Sequence, residues 1–221
     1  MVTAMCFGPV ASFTSGAILS GAGTITLKST RSKKELLFAA FPLVFGIQQI
    51  IEGFIWLAVE GGPLQHWQKP LGALFLFFAY LFWPVFSPLA IYLLEPQKRN
   101  KRVLSVFLLL GLATAAYLLW FIFHYDHGVT VVHHSIQYHV HKFANFVGFL
   151  YLGSTYVPYL LSSYKGVRLL GVLNIIFAAI ARYKYWVTFD SVWCFFAAIL
   201  SIGIFFFIRS LHRGTAKTAA G

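Results

Sequence analysis

The second apolar stretch of the sequence carries the most informative chemical groups. Gln48 and Gln49 lie four and three residues before Glu52, so a helix places all three side chains on one face, and Trp56 continues that stripe. A carboxyl group in hydrocarbon is costly unless it is paired, hydrogen-bonded or protonated. We therefore expect Glu52 to face the interior of a helix bundle. There it either binds a ligand, ion or proton, or belongs to a structural hydrogen-bond network.

The last apolar stretch begins with a second acidic group. This group is Asp190, and Cys194 follows it by one helical turn. Arg182 lies at the end of the preceding stretch, so we expect a structural ion pair between Asp190 and Arg182. Cys6 lies at the start of the first apolar stretch. Three states of Cys6 and Cys194 remain open, namely a disulfide, metal ligation and free thiols.

The polar groups of the second and last apolar stretches lie in the same half of the predicted membrane region, which indicates a pocket open to the outside. Its predicted lining is Gln48, Gln49, Glu52, Trp56 and Asp190.

Six of the eight histidines lie between positions 124 and 141. From 133 to 141 polar and apolar residues largely alternate, which favours an extended segment and places His139 and His141 on one face. One interpretation is a zinc or copper site, because imidazoles bind both ions. The other is a polar, pH-sensitive loop at the membrane interface. The candidate metal ligands are His139, His141, His133, His127 and Asp126.

Helices in a membrane must position these groups. The chain has 221 residues, of which 59% are hydrophobic and only 10% charged, whereas a soluble domain carries about 25% charged residues. Together with only two cysteines, this excludes an ordinary soluble domain, a disordered chain and a disulfide scaffold, so the lipid bilayer is the expected partner. The net charge of +11 comes from short loops, so we expect no nucleic-acid partner.

The apolar pattern predicts an all-α integral membrane protein. Residues 1–208 form a single domain of seven transmembrane helices, and 209–221 form a short cytoplasmic tail. A spanning helix needs about 20 apolar residues, which six segments supply. The segment 166–185 has an uncharged core of only 13 residues, and we count it as a span because two long loops on one side would otherwise be needed. The predicted spans are 5–27, 36–59, 70–94, 103–123, 143–164, 166–185 and 187–208.

The basic residues predict the orientation. Thirteen of the 17 follow spans 1, 3 and 5 or lie in the tail, and cytoplasmic loops are enriched in Lys and Arg. The amino terminus is therefore expected outside and the carboxyl terminus in the cytoplasm of a bacterial cell, with the chain in the cytoplasmic membrane.

Two spans also carry packing signals. Ser12, Gly16, Ser20 and Thr24 form a stripe of small residues that allows close helix packing. Pro84, with Pro88 one turn later, is expected to kink or loosen the third span.

Two motifs resemble a family of small bacterial membrane proteins. The first is Met5-Cys6-Phe7, and the second runs from Phe45 to Trp56 as Phe-Gly-Ile-Gln-Gln-Ile-Ile-Glu-Gly-Phe-Ile-Trp. Members of that family begin Met-Cys-Phe-Ser-Ala and carry Phe-Gly-x-Gln-Gln-x-x-Glu-Gly-x-x-Trp in the second span, whereas this chain has Gly-Pro in place of Ser-Ala. The resemblance implies seven spans, a bacterial membrane and no particular reaction. It also implies roles for Cys6, Gln48, Gln49 and Glu52.

Three functions remain open from the sequence. The first is binding or transport of a small polar or cationic solute in the predicted pocket. The second is a metal-dependent membrane enzyme with Asp126 or Glu52 as general acid or base. The third is a sensor or assembly subunit without chemistry. A retinal protein is excluded because the last span has no lysine, and no phosphate-binding glycine loop is present.

Overall fold

The computed structural model describes residues 8–59, 61, 63–125, 127–132, 135–140 and 144–218, with side chains described up to residue 212. Its α-helices are α1 (Pro9–Lys28), α2 (Leu36–Ala39), α3 (Phe41–Val59), α4 (Gln68–Leu76), α5 (Trp83–Leu94), α6 (Lys98–His124), α7 (Asn145–Leu161), α8 (Lys165–Lys184) and α9 (Phe189–Thr218). Short 3₁₀ turns cover Lys33–Glu35, Gln65–Trp67 and Trp186–Thr188, and a π-helix covers Phe77–Phe82. Two strands, β1 (Gly128–Val132) and β2 (Ser135–His139), complete the described structure.

Several helical stretches are long and apolar enough to cross a membrane. Within the described residues they are Pro9–Lys28, Lys33–Val59, Gln65–Leu94, Lys98–His124, Lys165–Lys184 and Trp186–His212. α7 is shorter, with 17 residues. The stretch with the short apolar core is a continuous helix of 20 residues, α8, as predicted. α9 continues from the last apolar stretch through Thr218 without a break at residue 209.

Close packing of α1 against α3 depends on glycine. A Cβ atom on Gly23 would lie 2.3 Å from the backbone nitrogen of Leu43, and one on Gly46 would lie 2.7 Å from the backbone nitrogen of Ser20. No side chain fits at either distance, so only hydrogen allows this approach. Of the predicted stripe, Gly16 and Ser20 make this close contact with α3, since a Cβ on Gly16 would lie 2.7 Å from the side chain of Ile50, whereas Thr24 is exposed.

The third span departs from α-helical geometry just before Pro84. Trp83 donates its backbone N–H to the carbonyl of Phe78, five residues earlier, which is the π-helical pattern. Pro84 has no N–H to give to the carbonyl of Tyr80 in the preceding turn, so the regular ladder is interrupted here. The hydroxyl of Tyr151 on α7 donates to the carbonyl of Ala79 inside the π segment at 2.6 Å. The expected loosening of this span is therefore confirmed, and it takes the form of a π-helix.

An antiparallel β-hairpin connects α6 and α7. Its register pairs Gly128 with His139 and Val132 with Ser135. The extended segment predicted from alternation is thus confirmed over Ser135–His139. The hairpin rests on the helices, because Gln68 on α4 donates to the carbonyl of Val129 at 2.5 Å.

The bundle therefore has two distinct ends. We call the end that carries the hairpin and the start of α9 the hairpin end. The opposite end is the tail end, where Glu35 hydrogen-bonds to His212 and Glu95 hydrogen-bonds to Ser163.

Candidate functional site: a buried polar cluster near the hairpin end

Glu52 occupies the centre of a polar cluster between α1, α3 and α9. Its side chain is only 2% exposed. Ser191 donates a hydrogen bond to Oε1 at 2.5 Å, and the amide of Gln49 donates to Oε2 at 3.2 Å. The other end of that amide, Oε1 of Gln49, accepts a hydrogen bond from Ser15 at 3.3 Å. Glu52 thus faces the interior, as its position on the stripe predicts, and all its direct partners here are neutral.

Gln48 forms a second branch of the cluster toward α5 and α9. Its Oε1 accepts a hydrogen bond from the indole N–H of Trp83 at 2.9 Å, and its amide nitrogen donates to the sulfur of Cys194 at 3.2 Å. Trp83 is held in place by stacking on Phe45, with ring centroids 4.0 Å apart. Gln48 and Cys194 are both fully buried, and Cys194 is a free cysteine. The amide therefore joins three helices in a region without water-exposed groups.

Asp190 adds a second carboxylate at the start of α9. It accepts a hydrogen bond from the hydroxyl of Tyr80, in the π segment, at 3.2 Å. The predicted ion pair with Arg182 is not formed between these two described residues, because the guanidinium lies over the ring of Trp186, 3.1 Å from its centroid. Arg182 remains within electrostatic range of Asp190. Both side chains are exposed, so the indole gives the guanidinium a cation–π contact without the loss of its water.

Trp56, the last residue of the predicted pocket, is 5% exposed and lies in the apolar core. The structure thus brings Gln48, Gln49, Glu52 and Asp190 to one region and leaves Trp56 as a packing residue beside it.

Tyr138 lies on the hairpin strand β2, which packs against α9, the helix that carries Asp190 and Ser191. Its ring stacks on Phe75 of α4 with centroids 4.3 Å apart and planes 5° from parallel. Its hydroxyl is buried and has no hydrogen-bond partner. Burial raises the pKa of Tyr138 well above the ordinary value of 10, and the nearby carboxylate of Glu52 raises the pKa further. The phenol is therefore neutral at physiological pH and lies within electrostatic range of Glu52.

The described histidines do not form a metal centre. Within the described part of the chain, no group of three or more His, Cys, Asp or Glu side chains is placed to hold an ion. His139 is exposed, and its Nε2 hydrogen-bonds to the hydroxyl of Thr130 at 2.7 Å. Nδ1 of His127 is buried without a partner. The other predicted ligands, His133, His141 and Asp126, lie outside the described residues, as does Cys6. Metal binding therefore stays a prediction.

A second set of buried carboxylates, which the sequence did not predict, lies at the tail end. Glu95 is 1% exposed and accepts backbone N–H groups of Ser163 at 2.8 Å and of Gln97 at 3.1 Å. Glu35 is 7% exposed and lies 3.0 Å from Nε2 of His212. Burial raises the pKa of Tyr164 beside them, with both carboxylates adding to the shift. Both glutamates lie between the predicted spans, where the sequence gives no reason to expect burial. The Ser-Ser pair at 162–163 is the one feature of the sequence that indicates a partner for Glu95.

The fold and the buried cluster define a class: a helical protein with several helices able to cross a membrane and a polar centre among them. Over residues 5–220 the chain matches DUF6629, a family of unknown function, and it belongs to that family. No curated protein and no solved structure matches the chain.

Proposed function

We propose that the protein transports a small cationic solute and that Glu52 is the binding group. In this proposal the chain is a seven-span protein of the bacterial cytoplasmic membrane with its amino terminus outside. The three loops after spans 1, 3 and 5 and the tail then lie in the cytoplasm. The cluster described above is the occluded form of a pocket that opens toward the outside.

The observation that carries the proposal is the lack of a counter-charge at Glu52. Its partners are the hydroxyl of Ser191 and the amide of Gln49, and no basic side chain among the described residues forms an ion pair with it. A buried carboxylate costs several kcal/mol when it stays charged without a cation. Such a group therefore takes up a proton or a cationic ligand, and ionisable groups inside a membrane mark transport pathways.

A structural network is the competing interpretation, since the hydrogen bonds of Glu52 are satisfied. A carboxylate is a poor choice for that role, because a glutamine could accept from the amide of Gln49 and donate to the hydroxyl of Ser191 without a buried charge. The π-helix at Phe77–Phe82 gives further support. It breaks the helical ladder beside Asp190, and π segments occur frequently at functional sites.

Uptake into proteoliposomes tests the proposal. The full-length protein is reconstituted, and uptake of labelled Na⁺, Rb⁺ and methylammonium is measured against protein-free vesicles. We expect uptake of at least one of these cations and at least a tenfold loss in Glu52→Gln, which removes only the charge. Glu52→Asp keeps the charge and should retain part of the uptake.

The matched control is Thr24→Val, a volume-conserving change at an exposed position on α1. It should behave as the wild type. Equal uptake by wild type and Glu52→Gln, or uptake of none of the three cations by the wild type, contradicts the proposed function.

A further inference from the structure

We propose that the hydroxyl oxygen of Tyr138 directly binds the solute held by Glu52, and that this solute is a dehydrated monovalent metal cation. The inference rests on the proposed function and adds to it a ligand from the hairpin and a chemical class for the solute.

The first observation is the unsatisfied hydroxyl itself. Tyr138 is 5% exposed, and its oxygen is buried without a partner. Buried polar groups in folded proteins nearly always have a partner, and leaving one unpaired costs about 1–3 kcal/mol. The stack on Phe75 explains why an aromatic ring lies at position 138. It does not explain the hydroxyl, because a phenylalanine would stack equally well. A bound ligand supplies the missing partner.

The second observation is where the hydroxyl lies. β2 packs against α9, the helix that carries Asp190, Ser191 and Cys194. Tyr138 is within electrostatic range of Glu52, Asp190 and Cys194. The phenol stays neutral because burial keeps its proton on, so it offers oxygen lone pairs and no second negative charge.

The charges of the cluster select a monovalent ion. Asp190 accepts a hydrogen bond from the Tyr80 hydroxyl and lies within electrostatic range of Arg182, which offsets part of its charge. Glu52 has only neutral partners among the described residues, so its negative charge is the less compensated of the two. Divalent calcium requires six to eight oxygen ligands that usually include several carboxylates, and magnesium retains much of its water. A carboxylate with neutral hydroxyl oxygens fits an alkali-metal ion.

The arrangement also determines how the ion enters. Glu52 is 2% exposed and Tyr138 is 5% exposed, so an ion between them is closed off from both sides. Exchange therefore requires movement of the elements that bury these two side chains. The described structure is therefore the occluded state.

Thermal unfolding of the purified full-length protein in detergent tests the inference. Tm is followed by tryptophan fluorescence as NaCl or KCl replaces N-methylglucamine chloride at constant ionic strength. The wild type should gain Tm with a saturable dependence on Na⁺ or K⁺. Tyr138→Phe should require at least a tenfold higher concentration for half the gain. Without these ions Tyr138→Phe should be at least as stable as the wild type, because it loses an unpaired hydroxyl and keeps the stack.

Tyr117→Phe is the matched control, since Tyr117 is 38% exposed on α6, and it should titrate like the wild type. If Tyr138→Phe has the wild-type half-saturating concentration while Glu52→Gln abolishes the response, the inference is overturned and the proposed function stands. A wild-type response in Glu52→Gln overturns the proposed function as well. Stabilisation by MgCl₂ alone, or by none of these salts, overturns the assignment of a monovalent metal ion.

Discussion

The hydroxyl of Ser191 lies 2.5 Å from Oε1 of Glu52, although the two residues are 139 positions apart in the chain. This contact joins α3 to α9 in the buried interior. It also gives the carboxylate its shortest hydrogen bond, so loss of the serine hydroxyl removes both a link between helices and a donor to a costly buried group.

We expect Ser191→Ala to destabilise the protein by about 1–3 kcal/mol, the usual range for a lost partner of a buried polar or charged group. Unfolding in mixed detergent, followed by circular dichroism, measures the effect. Ser201→Ala is the matched control, because Ser201 is buried on the same helix and bonds only to the carbonyl of Ala198 within that helix. Equal stability of the two variants would contradict a supporting role for Ser191.

The proposed topology predicts opposite accessibility at the two ends of the bundle. In a variant without native cysteines, a cysteine at exposed His139 should react with an impermeant maleimide in intact cells. A cysteine at exposed Lys33 should react only after permeabilisation. Labelling of position 33 alone from the outside would reverse the orientation, and labelling of both positions would contradict the three spans predicted between them.

The contact between α1 and α3 predicts a large difference between two glycines on one helix. Gly23→Ala places a methyl group 2.3 Å from the backbone of Leu43, so the helices must separate, and overpacking of this kind costs about 1–3 kcal/mol or more. Gly21→Ala meets nothing within 4 Å and should be neutral or slightly stabilising, since alanine favours helix. The same unfolding assay compares the two, and similar stability losses would show that α1 does not pack as described.

Glu95 predicts a sensitive position at the tail end. The carboxylate of Glu95 accepts two backbone N–H groups, and Glu95→Gln removes its charge and places an amide donor against one of these N–H groups. We therefore expect the free energy of unfolding to fall by about 2–3 kcal/mol. Ser105→Ala is the control, because Ser105 is half-buried on α6 and its hydroxyl bonds to the carbonyl of Arg102 in the same helix. If Glu95→Gln leaves Tm at the wild-type value, Glu95 does not tie the loop after α5 to the loop after α7.

The sequence by itself determined the class of the protein and the direction of its most important side chains. Helices in lipid must satisfy their own backbone groups, so the length and apolarity of each stretch define the helices with little help from packing. The spacing of Gln49 and Glu52 is a local property of a helix, and the cost of a carboxyl group in hydrocarbon places that face inside. Alternation predicted the extended conformation of Ser135–His139 for a similarly local reason.

Only the tertiary structure decided which groups meet. Ser191 and Cys194, the partners of Glu52 and Gln48 on α9, lie more than 100 positions further along the chain. The periodicity of the sequence does not predict how α9 is aligned along α3. The stacking of Arg182 on Trp186 in place of a bond to Asp190 depends on the turn between α8 and α9. The placement of Tyr138 near the cluster depends on the pairing of β1 with β2 and on the packing of the hairpin against Phe75 of α4. Such contacts arise from the packing of whole elements, because each requires two surfaces to fit at once.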